Sequence, residues 1–279
     1  MWIDTHCHLD AHEFGAESLD VARRAGEGGV AMIVIPAVEQ GNFSVVAKMA
    51  AQAPNASYGL GIHPIFVPQA QESDLVALRA AVAAAMADPK FVAIGEIGLD
   101  YFIPLLCEPA MREKQEHFFR EQLRIAREFA LPVLMHVRRS QDQVLKHVRQ
   151  IRPAGGIAHA FNGSFQQAQM YIDLGIKLGF GGAMTFTRAL QIRRLATTLP
   201  LEAIVLETDA PDIAPAWVHP GRNSPEQLPA IGAALAELRG MQAAQVMAAT
   251  MNNAFAAMPR LQALLRGPMP PPGPAALHS

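Results

Sequence analysis

The sequence has little of what marks a secreted or membrane-embedded protein. Only two of its 279 residues are cysteines, Cys7 and Cys107, so a disulfide framework is excluded and free thiols are expected. No segment approaches the run of about 18 apolar residues that a transmembrane helix needs. Met1 is followed by WIDTH rather than by the basic and apolar stretches of a signal peptide. We therefore expect a cytoplasmic protein without a membrane anchor.

The sequence also lacks a large excess of charge of either sign. Lysines and arginines number 23, aspartates and glutamates 25, and the formal net charge is −2. A protein that coats a long stretch of nucleic-acid backbone is strongly basic, so that class is excluded. A nucleic-acid substrate would have to be held locally, by metal ions and a few arginines. Nothing in the sequence indicates an obligate protein partner.

What the sequence does contain is an alternation of two periodicities. Short apolar, β-branched runs alternate with longer stretches of helical spacing, which is typical of βα units in a parallel sheet. Eight strands are predicted, at residues 2–5, 31–36, 57–61, 92–95, 132–135, 156–158, 176–179 and 203–206. Eight units of about 30 residues favour an α/β fold closed into a single (β/α)₈ TIM-type barrel over an open sheet. This domain is predicted to span 1–265, and the proline-rich residues 266–279 are predicted to be disordered.

Side chains that bind metals follow several of the predicted strands. Two histidines of WIDTHCHLD are one residue apart, so they share a face because successive side chains of a strand point to opposite faces. In a parallel barrel the carboxyl ends of all strands meet at one mouth, where active sites lie. We therefore expect six side chains to converge there: His6, His8, Glu96, His136, His159 and Asp209.

Four imidazoles and two carboxylates exceed the three or four protein ligands of one catalytic zinc ion, so two divalent ions are predicted. The ligand types leave Mg²⁺, Mn²⁺ and Zn²⁺ open. Two neighbouring ions lower the pKa of a water molecule and clamp the attacking and leaving oxygens of a displacement. The pattern therefore indicates a metal-dependent hydrolase.

Several longer stretches place these residues in a recognisable order. They read IDTHCHLD, GLGIHP, VAIGEIGLDY, LPVLMHVRR, GIAHAFNGS and VLETDAPDIAP, followed by RNSPEQLP and NNAF. From Ile3 to Phe255 the chain resembles the TatD-type metal-dependent deoxyribonucleases of the amidohydrolase-like barrel superfamily. The resemblance implies that Glu96 bridges two ions. It divides the other ligands into His6, His8 and Asp209 on one ion and His136 and His159 on the other.

The resemblance and the local chemistry also suggest substrate contacts. The resemblance implies that His63 lies in the mouth and contacts a phosphate oxygen, with a structural role as the alternative. Arg138 and Arg139 follow a predicted ligand, and a planar guanidinium there suits a phosphate. One of the two is expected to face the pocket and the other to face solvent or an ion-pair partner. Asn162 and Ser164 are candidate donors to substrate, with loop and capping roles as the alternatives.

Two loops depart from the family pattern. The loop after the sixth strand reads AFNGS, which differs from a common family form, and the last loop, APAWVHPGRNSPEQ, is shorter and less basic than a common family form. The sequence predicts a phosphodiesterase acting on DNA ends or short single-stranded nucleic acid as a 3′–5′ exodeoxyribonuclease, with Asp209 and Glu96 catalytic. The alternatives are a hydrolase of esters, lactones or aminoacyl-tRNA on the same scaffold, and a non-catalytic metal-binding barrel.

Overall fold

In a computed structural model that describes residues 1–266, eight parallel strands form a single sheet. The strands pair in sequence order from β1 to β8. Backbone hydrogen bonds from Thr5 N to Leu206 O, 3.1 Å, and from Asp209 N to His6 O, 2.9 Å, join the last strand to the first. The strands are β1 (Trp2–Asp4), β2 (Val30–Pro36), β3 (Ala56–Leu60), β4 (Phe91–Asp100), β5 (Val133–Arg138), β6 (Gly156–Ala158), β7 (Ile176–Phe180) and β8 (Ile204–Leu206).

Helices follow the strands and surround the sheet. The α-helices are α1 (Ser18–Glu27), α2 (Phe43–Gln52), α3 (Glu72–Ala85), α4 (Pro104–Cys107), α5 (Pro109–Glu128), α6 (Gln141–Ile151), α7 (Phe165–Asp173), α8 (Leu190–Thr198), α9 (Leu228–Arg239), α10 (Ala243–Ala257) and α11 (Pro259–Arg266). Short 3₁₀ segments lie at Gly15–Glu17, Gln40–Asn42, Pro64–Phe66, Gly182–Thr185, Leu201–Ala203 and Pro225–Gln227. The TIM-type barrel predicted from the sequence is confirmed. Within residues 1–266 no helix is long and apolar enough to cross a membrane.

The barrel has a packed interior rather than a pore. Apolar side chains from β1, β2, β4, β5, β6 and β8 form one buried cluster with residues of α10 and α11. The guanidinium of Arg260 donates to the carbonyl oxygens of Met86, at 3.0 Å, and Asp88, at 2.7 Å, just before β4 begins. The last two helices therefore close the amino end of the barrel, and the carboxyl end is left for the site. The sequence did not predict α11, and 267–279, which hold most of the tail expected to be disordered, lie outside the described residues.

Strands β4 and β5 extend further toward the mouth than the sequence predicted. Both predictions stopped where polar residues begin, yet the two strands continue to pair there, with Gly98 opposite His136 and Asp100 opposite Arg138. Gly98 has a φ of 148°, and a Cβ on it would lie 2.0 Å from the carbonyl oxygen of His136. Only glycine allows so close an approach at this φ, and the approach sets the position of His136 against β4.

Candidate metal centre

The centre of the mouth is a buried carboxylate surrounded by imidazoles. Glu96 is 2% exposed. Its Oε2 lies 3.1 Å from His6 Nε2 and 3.3 Å from His8 Nε2. Its Oε1 lies 3.1 Å from His136 Nδ1 and 2.7 Å from His159 Nε2. Each oxygen of Glu96 thus faces a different pair of the histidines predicted to be ligands.

Asp209 approaches the same centre from the end of β8. Its Oδ1 lies 3.7 Å from both His6 Nε2 and His8 Nε2, and 4.0 Å from His159 Nδ1. The backbone of Asp209 is left-handed, with a φ of 55°, a conformation that is uncommon for residues other than glycine. Together with the hydrogen bond to His6, this conformation fixes the carboxylate over β1. The six predicted side chains therefore meet in one place.

The donor atoms suit divalent cations. Ligand atoms of three overlapping triplets lie within 4.8 Å of one another, so each triplet can hold a metal ion. The triplets are His6, His8 and Asp209; His6, Glu96 and His159; and His63, Glu96 and His136. Without a cation, every imidazole nitrogen facing Glu96 would have to carry a proton to satisfy these contacts. A cation satisfies both the nitrogen lone pairs and the carboxylates.

The electrostatics of the centre also favour positive charge. Burial alone would lower the pKa values of His8 and His159, but Glu96 raises them to about 9 and about 10. Burial raises the pKa of Glu207, a second acid beside His159, to about 8. Burial and the neighbouring His159 lower the pKa of His6 to about 3. Glu96 therefore stabilises positive charge on the side chains beside it.

His63 has a different environment from the four histidines predicted to be ligands. Its Nδ1 accepts a hydrogen bond from Ile65 N at 3.0 Å and so caps the short helix Pro64–Phe66. A neutral imidazole bonded in this way carries its proton on Nε2, which faces Glu96 Oε1 at 3.3 Å. His63 is therefore placed to donate to Glu96 and lines the cavity.

Three further carboxylates, which the sequence analysis did not single out, support the centre. Asp100 Oδ2 lies 3.1 Å from His136 Nε2, on the side of the ring away from Glu96. Asp4 accepts from the backbone of His6 and from both Thr208 N and Oγ1. Glu207 accepts from the backbone N–H of Ala160, next to His159. The sequence does contain a signal that could have identified them: each of the three acids lies two to four residues from a predicted ligand, within the motifs quoted above.

A cavity of about 790 Å³ opens over the centre. Arg138 and Arg139 both line it, and their guanidinium carbons lie 3.7 and 4.6 Å from the ring centroid of Phe102. Arg138 Nη1 also lies 3.9 Å from Asp100 Oδ2, the ion-pair alternative expected for one of the two, while Arg139 has a φ of 56° and the strand alternation ends there. The cavity therefore has a wall with two neighbouring cations.

The two candidate donors after β6 differ in position. Asn162 lines the cavity. Ser164 caps α7, where its Oγ accepts from Gln167 N at 3.1 Å and Gln167 Oε1 accepts from Ser164 N at 2.9 Å. Ser164 is absent from the cavity wall, so the geometry favours the capping alternative for it.

A closed parallel barrel with buried histidines and carboxylates at its carboxyl end defines the class of metal-dependent hydrolases. A family model described as TatD related DNase matches residues 3–258, and the chain belongs to that family. Within the family, the chain is 37% identical over 255 residues to the uncharacterized metal-dependent hydrolase YjjV of Escherichia coli K12, covering 91% of this chain and 96% of that protein.

Two further comparisons agree with this assignment. The crystal structure of YjjV, described as a TatD homologue, aligns with a TM-score of 0.86 at 36% identity, covering 92% of this chain and 98% of that one. The chain is also 32% identical to a protein of Escherichia fergusonii named 3′–5′ ssDNA/RNA exonuclease TatD, covering 90% of this chain and 96% of that protein.

Proposed function

We propose that this protein is a two-metal phosphodiesterase that removes nucleotides from the 3′ end of single-stranded DNA. One observation carries the proposal: Arg138 and Arg139 are stacked on Phe102 in the wall of the cavity that contains the metal-binding cluster. Two guanidinium groups beside such a cluster are suited to a phosphodiester, whose charge they offset. The relative named as a 3′–5′ ssDNA/RNA exonuclease supports this substrate class and polarity.

The contacts of Glu96 support a division of the ligands between two ions. Because Oε2 faces one pair of histidines and Oε1 the other, Glu96 is suited to bridge the ions. Asp209 Oδ1 lies beside the first pair and completes that set. The proposed sets are His6, His8 and Asp209 for one ion and His136 and His159 for the other. Mg²⁺, Mn²⁺ and Zn²⁺ are the candidate ions.

Bound ions would supply Lewis acidity and a water molecule of lowered pKa. The side chains position the reactants around that chemistry. Asp209, 13% exposed, lines the cavity, and we assign to it the orientation of the attacking water and the acceptance of its proton. Arg138 and Arg139 would hold the phosphate and stabilise the charge that develops on it. We also assign His63 and Asn162, which line the cavity, to substrate contacts.

The proposal is tested by hydrolysis of single-stranded DNA labelled at its 5′ end. Apo protein is resupplied separately with Mg²⁺, Mn²⁺ and Zn²⁺, and Glu96→Ala is compared with Glu128→Ala, a surface glutamate paired with Arg79. We expect stepwise shortening from the 3′ end that depends on metal, is lost in Glu96→Ala and persists in Glu128→Ala.

Two results would contradict the proposal. Full metal-dependent turnover by Glu96→Ala would refute the assignment of the bridging ligand. Absence of cleavage with every ion, in protein shown to bind two metals, would refute the nuclease and direct the search to esters, lactones and aminoacyl-tRNA.

A further inference from the structure

A second concave surface adjoins the metal cavity. This groove has a volume of about 520 Å³ and shares Ala183, Ile192 and Ile213 with the wall of the cavity. Beyond the shared wall it is lined by Phe186, by Arg188 and by His219 of the last loop, among others. The groove therefore continues the cavity away from the metal centre, on the side of β7 and α8.

Three flat side chains form one contact group in the groove. The guanidinium carbon of Arg188 lies 5.2 Å from the ring centroid of Phe186. The His219 ring meets the same phenyl ring edge-on, with centroids 5.5 Å apart and planes at 80°. Unpaired nucleobases stack on aromatic rings and on guanidinium planes. The groove thus offers the surfaces that an unpaired base uses.

The charge of the groove suits a phosphate. Its lining residues include Arg188 and no carboxylate. Within the described residues, the Arg188 guanidinium has neither a hydrogen bond nor an ion pair, and its contact is with the Phe186 ring. Surface arginines elsewhere, such as Arg24 and Arg79, are paired with glutamates. Arg188 is therefore available to an anion from outside the chain.

We infer that this groove binds the nucleotide next to the one that is cleaved off, with its base against Phe186 and His219 and its phosphate at Arg188. The inference rests on the proposed nuclease function and adds a second nucleotide site to it. Because the faces of a paired base are covered within the duplex stack, the groove selects single strands. His219 has no second metal ligand at a suitable spacing in the sequence, and base stacking gives it a role that needs none.

The test compares a substrate with one nucleotide to a substrate with several. The 4-nitrophenyl ester of thymidine 5′-monophosphate lacks the neighbouring base and its phosphate, whereas a single-stranded oligodeoxyadenylate carries both. The variants are Arg188→Ala and Phe186→Leu. The matched control is Arg194→Ala, because Arg194 makes the same kind of contact, 5.3 Å from the ring centroid of Phe165, outside the groove.

We expect Arg188→Ala and Phe186→Leu each to lower kcat/KM for the oligonucleotide about tenfold, the loss typical of one stacking or phosphate contact. The mononucleotide ester should be hydrolysed within about twofold of wild type, and Arg194→Ala should change neither substrate. Arg188→Ala should also reduce the slope of log affinity against log salt by about 0.7, as removal of one phosphate contact to a single strand predicts. Equal losses on both substrates, or no loss on the oligonucleotide, would overturn the inference.

Equilibrium binding separates this inference from the proposed function. Affinity is measured by fluorescence anisotropy of a labelled oligodeoxyadenylate with wild type and the three variants. The protein could cleave no oligonucleotide and still bind it more weakly in Arg188→Ala and Phe186→Leu but not in Arg194→Ala. That result would support nucleotide binding in the groove and reject the proposed exonuclease activity. Unchanged binding in a protein that does cleave the strand would reject the groove and leave the exonuclease standing.

Discussion

Asp100 provides a sharp test of how the metal centre is held. This buried residue ends β4, and its two carboxylate oxygens have separate partners. Oδ1 accepts from the backbone N–H groups of Phe102, at 2.8 Å, and Ile103, at 3.1 Å. Oδ2 lies 3.1 Å from His136 Nε2. Asp100 therefore holds the proton of His136 on Nε2, which leaves Nδ1 free to bind a metal ion beside Glu96.

The substitution Asp100→Asn keeps the role of Oδ1 and changes that of Oδ2, which also lies 3.9 Å from Arg138 Nη1. The amide oxygen can keep both backbone hydrogen bonds, but the amide NH₂ now donates toward His136 Nε2. His136 would then carry its proton on Nδ1, the atom that faces Glu96. Loss of such an orienting carboxylate typically lowers metal affinity about 10- to 100-fold. This range corresponds to about 1.4 to 2.8 kcal/mol of binding free energy.

The matched variant Asp100→Ala separates metal binding from stability. Alanine also leaves the two backbone N–H groups without their acceptor, which costs about 1 to 3 kcal/mol more. At about 2 to 4 °C per kcal/mol for a domain of this size, its melting temperature should fall measurably below that of Asp100→Asn.

Metal affinity is measured by competition with a chelating dye, and stability by thermal denaturation of the apo protein. We expect Asp100→Asn to lose affinity while nearly keeping the melting temperature of wild type. Zinc affinity of Asp100→Asn within twofold of wild type would refute the role given to Asp100. A melting temperature as low as that of Asp100→Ala would do the same.

Three further predictions concern the barrel and its stability. Gly98→Ala should lower the free energy of unfolding, measured with denaturant, by about 3 kcal/mol or more, because a Cβ there meets the His136 carbonyl. The control Gly15→Ala, at a φ of 50° with open space around it, should lower it only by the backbone strain. Burial lowers the pKa of His147 below its ordinary value of 6.5, so the folded protein binds this proton less readily than the unfolded chain. The free energy of unfolding should therefore fall as the pH drops through 6.5. His147→Gln should make the melting temperature less dependent on pH in this range, and an unchanged dependence would contradict the shift. Zn²⁺ at 100 times its dissociation constant should stabilise wild type by about 2.7 kcal/mol by calorimetry, and an equal gain in Glu96→Ala would argue against binding at this centre.

The barrel and most of its central side chains could be predicted from the sequence because both depend on local pattern. Apolar runs of strand length, each followed by a metal-binding side chain, imply a common mouth once the strands are parallel. The three supporting carboxylates, Asp4, Asp100 and Glu207, were harder to recognise. In the sequence, an aspartate that belongs to a turn cannot be told from one that contacts a metal ligand, as Asp100 does. Its role depends on the pairing of β4 with β5, which no local pattern contains.

The sequence by itself determined the order of the eight strands, the six side chains at the mouth and the family, since these follow from periodicity and from motifs in a fixed order. Only the tertiary structure decided which oxygen of Glu96 faces which histidines, that Arg138 and Arg139 share one wall, and that Phe186 and His219 meet in the groove beside the cavity. The physical reason is that these relations depend on backbone angles at single residues and on distances between segments far apart in the chain. Arg139 shows this directly, because its left-handed backbone ends the alternation that a strand would otherwise impose.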